Sequence, residues 1–275
     1  MPRAGGVPAP RLFAHLRYEV VPLAGAGEQV RHLTPGTTVA ITSSPSRGLE
    51  PTIELAEQLG RAGYDAVPHL AARSVRSDVQ LKEIVDRLEA AGVRDVLVIA
   101  GDNPEPAGPY ADGIELLTAL GEQEHPFTGV GVPAYPEGHP LLDDETLWRS
   151  LARKQGQASY IVTQLCFNAA ALARWLTALN ERGIGLPVYI GVPGVVERRK
   201  LLRMAARLGV RDAQRFIRKH ARLALPLLRR GDYRPDRLVR ALARQLPPDA
   251  DVRGLHLYTF NAVQATVEWV REGER

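Results

Sequence analysis

The sequence contains one cysteine, Cys166, among 275 residues. It can therefore form no internal disulfide and no cysteine-rich metal site. No apolar run approaches the ~18 residues that span a bilayer, and no apolar segment follows a basic start as in a secretion signal. These absences predict a cytoplasmic protein with no membrane partner and no bound metal.

Motifs of several common enzyme classes are also missing. The sequence has no P-loop, no His-Glu-x-x-His zinc motif and no nucleophile elbow. The segments 25–30 and 129–134 resemble parts of a dinucleotide fingerprint, but neither opens a helix after a strand. A Rossmann site is therefore disfavoured.

Charge is distributed unevenly along the chain. The formal net charge is +4, yet Lys and Arg outnumber Asp and Glu about two to one from Val196 to Arg275. Such a region can attract nucleic acid or an anionic small molecule, although an Arg-rich solvated helix surface has the same composition. The only aromatic residue within 215–230 is Phe216, so few bases can stack there. We expect no nucleic-acid partner.

Short β-branched runs alternate with helical patterns along most of the chain. The predicted strands lie near residues 17–21, 39–42, 66–70, 95–100, 129–134, 160–166, 188–192 and 255–260, and the predicted helices include 52–61, 77–91, 145–154 and 169–182. Eight strand–helix units predict a parallel sheet closed into a (β/α)8 TIM barrel. We expect one domain over 12–275 after a loose segment 1–11, with an extra helical segment at 200–245 before the last strand.

The stretch from Val96 to Glu115 contains the first candidate site. A buried strand ends there in Gly101-Asp102, a Pro-rich loop follows, and a helix is predicted to begin near Tyr110. An acid just past the end of a parallel strand lies where α/β enzymes place their chemistry. A helix-capping or loop-fixing Asp102 has the same pattern, so both interpretations stay open here.

Other predicted strands also carry polar residues. Glu19 lies inside the first strand, where an acid is costly unless it is paired or used, so it is a candidate for a raised pKa and proton donation. His69 ends the third strand, where a lone His is often only a satisfied core residue. Gln164, in the sixth, needs partners for its amide that a ligand can supply. The segment 135–140 ends the fifth strand with three polar side chains close together, which favours a site over packing.

Together these residues resemble motifs of the methylenetetrahydrofolate reductase family. The matches are Tyr18-Glu19-Val20-Val21-Pro22, His69-Leu70, Ala100-Gly101-Asp102 with Tyr110-Ala111, Tyr135-Pro136-Glu137-Gly138-His139-Pro140, Thr163-Gln164 with Phe167, and His256-Leu257-Tyr258-Thr259-Phe260-Asn261. Each match is weak alone. Six in series, all on predicted strand ends, are fairly specific.

The resemblance implies a barrel enzyme that reduces 5,10-methylenetetrahydrofolate to 5-methyltetrahydrofolate with NAD(P)H, usually through FAD, in one-carbon metabolism and methionine biosynthesis. It implies that Glu19 is the general acid, that Asp102 stabilises the cationic intermediate, and that Gln164 positions folate and hydride donor in turn. Cofactor contacts are then expected at Thr42, His69, Asp102, Tyr110, Ala111, Tyr135, His139, Arg153 and Lys154. Substrate contacts are expected at Glu19, Asp102, Gln164, Phe167 and Tyr258.

The sequence departs from the family pattern mainly at flavin positions. Ala100 replaces the family's Arg before Gly-Asp, residues 42–48 replace a Gly-rich loop, and the segment 154–158 is one residue short. Ala262 stands where the family often has an Arg for the folate tail. Short, flavin-independent actinobacterial members form a group within the family, and segments 166–168 and 192–196 are more similar to theirs. Transfer through FAD and direct hydride transfer both stay open.

Two other functions fit parts of the sequence. A tetrahydrofolate-dependent methyltransferase or demethylase on the same barrel would share the pterin residues but would need no hydride donor. A non-enzymatic nucleic-acid binder would use the basic C-terminal helices. The sequence leaves open the oligomeric state and the choice between NADH and NADPH, because no ribose-reading acid or phosphate-reading Arg can be placed in it.

Overall fold

Eight parallel strands form a closed barrel in the computed structural model, which describes residues 9–43, 47–197, 199–200 and 231–273. The barrel strands are β1 (Arg17–Val20), β2 (Thr38–Ile41), β3 (Asp65–Ala71), β4 (Asp95–Ile99), β5 (Gly129–Ala134), β6 (Tyr160–Thr163), β7 (Val188–Pro193) and β10 (Val252–Tyr258). β1 closes the ring by pairing in parallel with both β2 and β10. The predicted (β/α)8 fold is confirmed, and most predicted strand ends lie within one or two residues of those observed.

Helices surround the barrel and bury their apolar faces against it. They are α1 (Ala9–Leu12), α2 (Ala26–Val30), α3 (Glu50–Arg61), α4 (Asp78–Ala90), α5 (Gly113–Gly121), α6 (Asp144–Lys154), α7 (Ala169–Glu181), α8 (Asp236–Gln245) and α9 (Val263–Gly273), with a 3₁₀ turn at Ala72–Ser74. The larger of the apolar clusters lies between strands and helices, because outward strand residues such as Val39 and Val98 join it. None of the helices that the structure describes is long and apolar enough to cross a membrane.

The helix predicted to begin near Tyr110 begins three residues later, at Gly113. Asp112 is its N-cap and accepts hydrogen bonds from the backbone N–H groups of Ile114 and Glu115, while the Glu115 carboxylate accepts one from the Asp112 N–H. This capping box fixes the first turn. Tyr110 is instead a buried loop residue whose hydroxyl donates to Asp78.

The segment before the last strand contains a feature that the sequence did not predict. β8 (Val196–Glu197) pairs antiparallel with β9 (Asp232–Tyr233), and α8 follows. Strands of two residues are too short to show an alternating pattern. Most of the predicted helical segment 200–245, including residues 201–230, lies outside the described residues.

The predicted loose segment 1–11 also lies largely outside the described part of the chain. α1 begins at Ala9 and crosses the predicted boundary, and its Leu12 side chain is fully buried. The domain boundaries stay a prediction.

The inside of the barrel is built in layers, because alternate residues of each strand point inward. At the N-terminal end, the Arg17 guanidinium pairs with Asp95 and lies between two tyrosine rings, 4.1 Å from the Tyr160 centroid and 4.3 Å from the Tyr189 centroid. The Tyr160 hydroxyl donates to Asp95 at 2.6 Å. An apolar layer that includes Leu97 follows.

Two inward glycines make room for tyrosine rings inside the barrel. A Cβ on Gly131 would overlap the Tyr160 ring, and a Cβ on Gly191 would lie 2.3 Å from the Thr163 carbonyl oxygen and 2.8 Å from the Tyr258 ring. Real Cβ atoms do not approach other atoms so closely, so glycine is required at both positions. The tyrosines therefore fill space that side chains on β5 and β7 would otherwise occupy.

Replacing Arg17 should destabilise the fold. Arg17→Met would leave Asp95 as a partly buried carboxylate without its cation, and we expect the free energy of unfolding to fall by roughly 3 kcal/mol in urea titrations. The double variant Arg17→Met/Asp95→Asn also removes the unpaired carboxylate charge and should recover part of the lost free energy of unfolding. Equal stability of the wild type and Arg17→Met would contradict this role for the ion pair.

Candidate active site

A carboxylic acid and two imidazoles converge inside the barrel, toward the carboxyl ends of the strands. Glu19 on β1, His69 on β3 and His256 on β10 are all buried, with 8%, 4% and 1% of their surfaces exposed. The His256 Nε2 lies 3.0 Å from Glu19 Oε2, within hydrogen-bonding distance. The His69 Nε2 lies 3.9 Å from the same oxygen, which is too far for a hydrogen bond.

Burial sets the protonation of these three groups. It raises the pKa of Glu19 to about 7, although the charge of a protonated His69 would favour the carboxylate. Burial, with a smaller contribution from the positive charge of Arg17, lowers the pKa of His69 to about 4 and that of His256 to about 3, although the Glu19 charge opposes the change at His69. At neutral pH both imidazoles are therefore neutral, and Glu19 is poised to exchange a proton.

The three ligand atoms lie within 4.8 Å of one another, a spacing that can also suit a cation. Glu19 and His256 lie at hydrogen-bonding distance, an arrangement that suits a buried acid with a neutral partner. We therefore interpret the cluster as a proton-donor site.

The end of β10 holds the backbone of the end of β1. The Thr259 hydroxyl donates to the Glu19 carbonyl at 2.6 Å. The Asn261 amide pairs with Val21 twice, accepting from its N–H at 2.8 Å and donating to its carbonyl at 3.0 Å. Phe260 and Asn261 both adopt left-handed backbone conformations, with φ of 50° and 63°. The motif at 256–261 was part of the family resemblance in the sequence. These contacts explain its Thr259 and Asn261 in physical terms.

Asp102 lies in the loop after β4, exposed at the barrel mouth and close to the polar loop after β5. Burial, reinforced by the Asp102 charge, raises the pKa of Tyr135 to about 12. Burial lowers the pKa of His139, and Asp102 opposes that change. The Tyr135 and His139 rings meet edge to face at 4.8 Å. The structure thus brings three of the predicted site residues together around one negative charge.

Gln164 comes directly after β6 rather than within it, which corrects the predicted strand. Its side-chain oxygen accepts from the N–H of Leu165 at 2.8 Å, so part of the amide is satisfied without a ligand. Phe167 and Tyr258 pack together with the apolar residues Leu165, Val196 and Phe260. This cluster forms an apolar wall beside Gln164.

The residues predicted to contact a flavin differ in whether they are exposed and whether their polar groups already have partners. Thr42, Arg153 and Ala111 are at least partly exposed, but the Ala111 carbonyl accepts from Arg73 at 2.9 Å. Tyr110 is buried and bonded to Asp78.

Lys154 lies apart from the exposed Arg153, although the two are neighbours in the sequence. Its side chain is buried at the start of α5, where a Cβ on Gly113 would lie 3.6 Å from its Nζ. Burial lowers the pKa of Lys154, and the charge of Asp112 opposes that change. The two cations are therefore in different environments.

Arg73 is a residue that the sequence analysis missed. It lies in the 3₁₀ turn after β3 and donates to three carbonyls of the next loop, those of Asn103 at 2.6 Å, Pro104 and Ala111. Nothing in the sequence pattern distinguishes it from other arginines, because its partners are backbone atoms about thirty residues away. It anchors the loop that contains Asp102.

Removing this anchor should loosen the loop while leaving the barrel intact. In Arg73→Ala we expect faster amide hydrogen exchange confined to residues 103–111, because three carbonyls lose their donor. Arg73→Lys should restore little, since an ammonium cannot reproduce the planar fork of donors. Arg76→Ala, at an exposed arginine nearby, is the matched control and should leave exchange unchanged. Unchanged exchange in Arg73→Ala would rule out the anchoring role.

The fold and the site define a class: a (β/α)8 barrel with an ionisable acid buried at its catalytic end. The family model for methylenetetrahydrofolate reductase matches residues 23–273. The chain therefore belongs to the methylenetetrahydrofolate reductase family, as the sequence motifs indicated.

Named relatives are distant and mostly longer. A probable methylenetetrahydrofolate reductase (NADPH) of Caenorhabditis elegans is 23% identical, and the match covers 90% of this chain and 40% of that protein. A 5,10-methylenetetrahydrofolate reductase of Pectobacterium carotovorum is 27% identical, with 55% of this chain and 51% of that protein covered. The chain thus spans about half or less of the length of these relatives.

A solved structure supports the fold. An uncharacterized protein from Clostridium thermocellum that binds two copies of 5-methyl-5,6,7,8-tetrahydrofolic acid superposes with a TM-score of 0.60. The match covers 96% of both chains at 12% sequence identity. At that identity the likeness establishes the barrel architecture alone.

Proposed function

We propose that this chain reduces 5,10-methylenetetrahydrofolate to 5-methyltetrahydrofolate with a hydride from NAD(P)H, in the one-carbon metabolism of the cytoplasm that supplies methionine biosynthesis. The observation that carries the proposal is the buried Glu19, a carboxyl group whose pKa is raised to about 7 in a barrel of this family. The folate bound by the Clostridium neighbour is consistent with it.

The reaction needs an acid in this environment. The bridge between N5 and N10 opens when the departing N10 receives a proton, which leaves an iminium cation at N5. Glu19 supplies that proton, because near neutral pH a substantial fraction of its carboxyl groups is protonated. The methylene carbon then accepts the hydride and becomes the methyl group. Glu19 recovers its proton from solvent.

In this proposal the remaining site residues bind the folate and stabilise the cationic intermediate. Asp102 carries the exposed negative charge at the mouth, and a fixed carboxylate favours the cationic intermediate over its neutral precursor. Gln164 offers its amide N–H groups beside the apolar wall of Phe167 and Tyr258. That combination suits a flat heteroaromatic ring with polar edges.

Direct transfer from the nicotinamide is the route that the residues favour. His69 is buried against Glu19, the Tyr110 hydroxyl and the Ala111 carbonyl already have partners, and Lys154 lies under α5. These four of the nine expected cofactor contacts do not present the groups that a flavin would use. The residues fit FAD poorly, and we propose that hydride passes to folate without it.

A spectrum and an assay test this route. The purified protein should show no flavin absorption and should oxidise NADH or NADPH when methylenetetrahydrofolate is added without flavin. A bound flavin that is required for turnover would overturn direct transfer but not the reaction. Failure to oxidise either nucleotide, with or without FAD, would overturn the reaction, and demethylation of a methyl donor would then favour a tetrahydrofolate-dependent methyltransferase.

Glu19→Gln should reduce turnover by roughly 10²-fold or more, because the amide keeps the shape but cannot donate the proton. In the wild type, kcat/KM should fall as pH rises through about 7, since the protonated acid is the active form. This fall of kcat/KM with rising pH, the basic limb of the profile, should be absent in Glu19→Gln. Glu105→Gln, at an exposed acid on the Asp102 loop, should behave like the wild type. Near-normal turnover in Glu19→Gln would exclude the acid role.

The nucleic-acid alternative finds no support in the described residues. Its basic segment around 215–230 lies outside them. Retention on heparin that survives physiological salt would revive it.

A further inference from the structure

We propose that His256 is a positioning residue for Glu19: it holds one carboxyl oxygen so that the other delivers the proton, while Thr259 and Asn261 fix the backbone beneath. The inference rests on the proposed function of Glu19. It concerns residues that the sequence analysis named only as parts of a motif.

The side-chain geometry separates the two oxygens of Glu19. Both imidazoles approach Oε2, His256 at 3.0 Å and His69 at 3.9 Å. The His256 Nδ1 is buried and has no hydrogen-bond partner among the residues that the structure describes. A buried N–H without a partner is rarer in proteins than a buried acceptor without one, so the tautomer with its proton on Nε2 is favoured.

This tautomer decides where the acidic proton of Glu19 is. His256 then donates to Oε2, which acts as an acceptor. The carboxyl proton is therefore carried by Oε1, the oxygen that is not bonded to His256. One oxygen is held and the other is free to meet the substrate nitrogen, which is the geometry that a general acid requires.

The backbone contacts remove the remaining freedom. The Thr259 hydroxyl bonds the Glu19 carbonyl, and Asn261 bonds both backbone groups of Val21. Two consecutive non-glycine residues, Phe260 and Asn261, take left-handed conformations to make these contacts. Such conformations persist where the surrounding structure determines them, and they are common at functional sites.

The titratable side chains that face Glu19 from the neighbouring strands are uncharged at neutral pH. His69 faces it from β3, His256 and Tyr258 face it from β10, and Arg17 lies two residues earlier on β1. Arg17 disfavours protonation of both imidazoles. Ala40, the β2 residue in register with Glu19, is not titratable. A neutral His256 can thus orient the acid without taking its proton.

Two variants of His256 test the proposal. His256→Leu removes the donor and should lower kcat by about 10- to 100-fold, with KM for folate little changed, because a misplaced acid affects the transition state more than binding. His256→Gln keeps an N–H at a similar reach and should restore most of the rate. The basic limb of the pH profile should move to higher pH in His256→Leu, because a donor that stabilised the carboxylate is lost.

Asn261→Gly is the companion variant. Glycine accepts the left-handed conformation but lacks both bonds to Val21. We expect a lower kcat together with a modestly lower melting temperature, because both backbone groups of Val21 lose their partner. Wild-type kcat together with an unmoved pH limb in His256→Leu would overturn the proposal, as would an effect confined to KM. Loss of wild-type activity on dialysis against a chelator would also overturn it, since it would identify the cluster as a metal site.

The titration of Glu19 itself separates this proposal from the proposed function. Carboxyl signals of ¹³C-labelled glutamate, assigned with Glu19→Gln, can be followed by NMR without turnover. A higher Glu19 pKa in His256→Leu than in the wild type supports the positioning bond, even if the wild type fails to oxidise NADH and NADPH. Equal values would overturn the bond while leaving the reaction intact.

Discussion

The hydrogen bond between Glu19 and His256 joins β1 to β10, the pair of strands where the first and last parts of the barrel meet. A carboxyl group inside a barrel loses its hydration and must be paired or protonated. Here it has a neutral imidazole as partner, so its proton stays exchangeable near neutral pH. Closing the fold and preparing the acid thus depend on the same seam.

The Arg17–Asp95 ion pair and the proposed acid Glu19 lie in different layers of the barrel. Arg17 and Asp95 form an ion pair at the N-terminal end, where aromatic rings cover the guanidinium. The residues above are apolar, and the two imidazoles beside Glu19 are neutral at physiological pH. The lower cation still acts through the low-dielectric interior on both imidazoles. A residue outside the site therefore helps to set its protonation.

Much of the fold was predictable because strand signals in this chain are strong. Buried parallel strands read as continuous β-branched runs, and an acid such as Glu19 between two apolar residues is conspicuous in such a run. Contacts to backbone atoms were not predictable. Arg73 bonds three distant carbonyls, and Asn261 bonds the backbone of Val21, so no side-chain pairing pattern reveals them. The helix α5 begins three residues after Tyr110, the predicted start, because the Asp112–Glu115 capping box sets its first turn.

Gly191 has a consequence for changing what this barrel accepts. Its missing side chain leaves room for the Tyr258 ring, which the Thr163 carbonyl holds from the neighbouring strand. At the level of Gly191, β7 therefore presents only backbone to the inside of the barrel, and no side chain can be shortened there. A wider mouth therefore requires a shorter side chain at Tyr258 or Phe167, because a side chain at position 191 would collide with the Thr163 carbonyl before it reached a ligand.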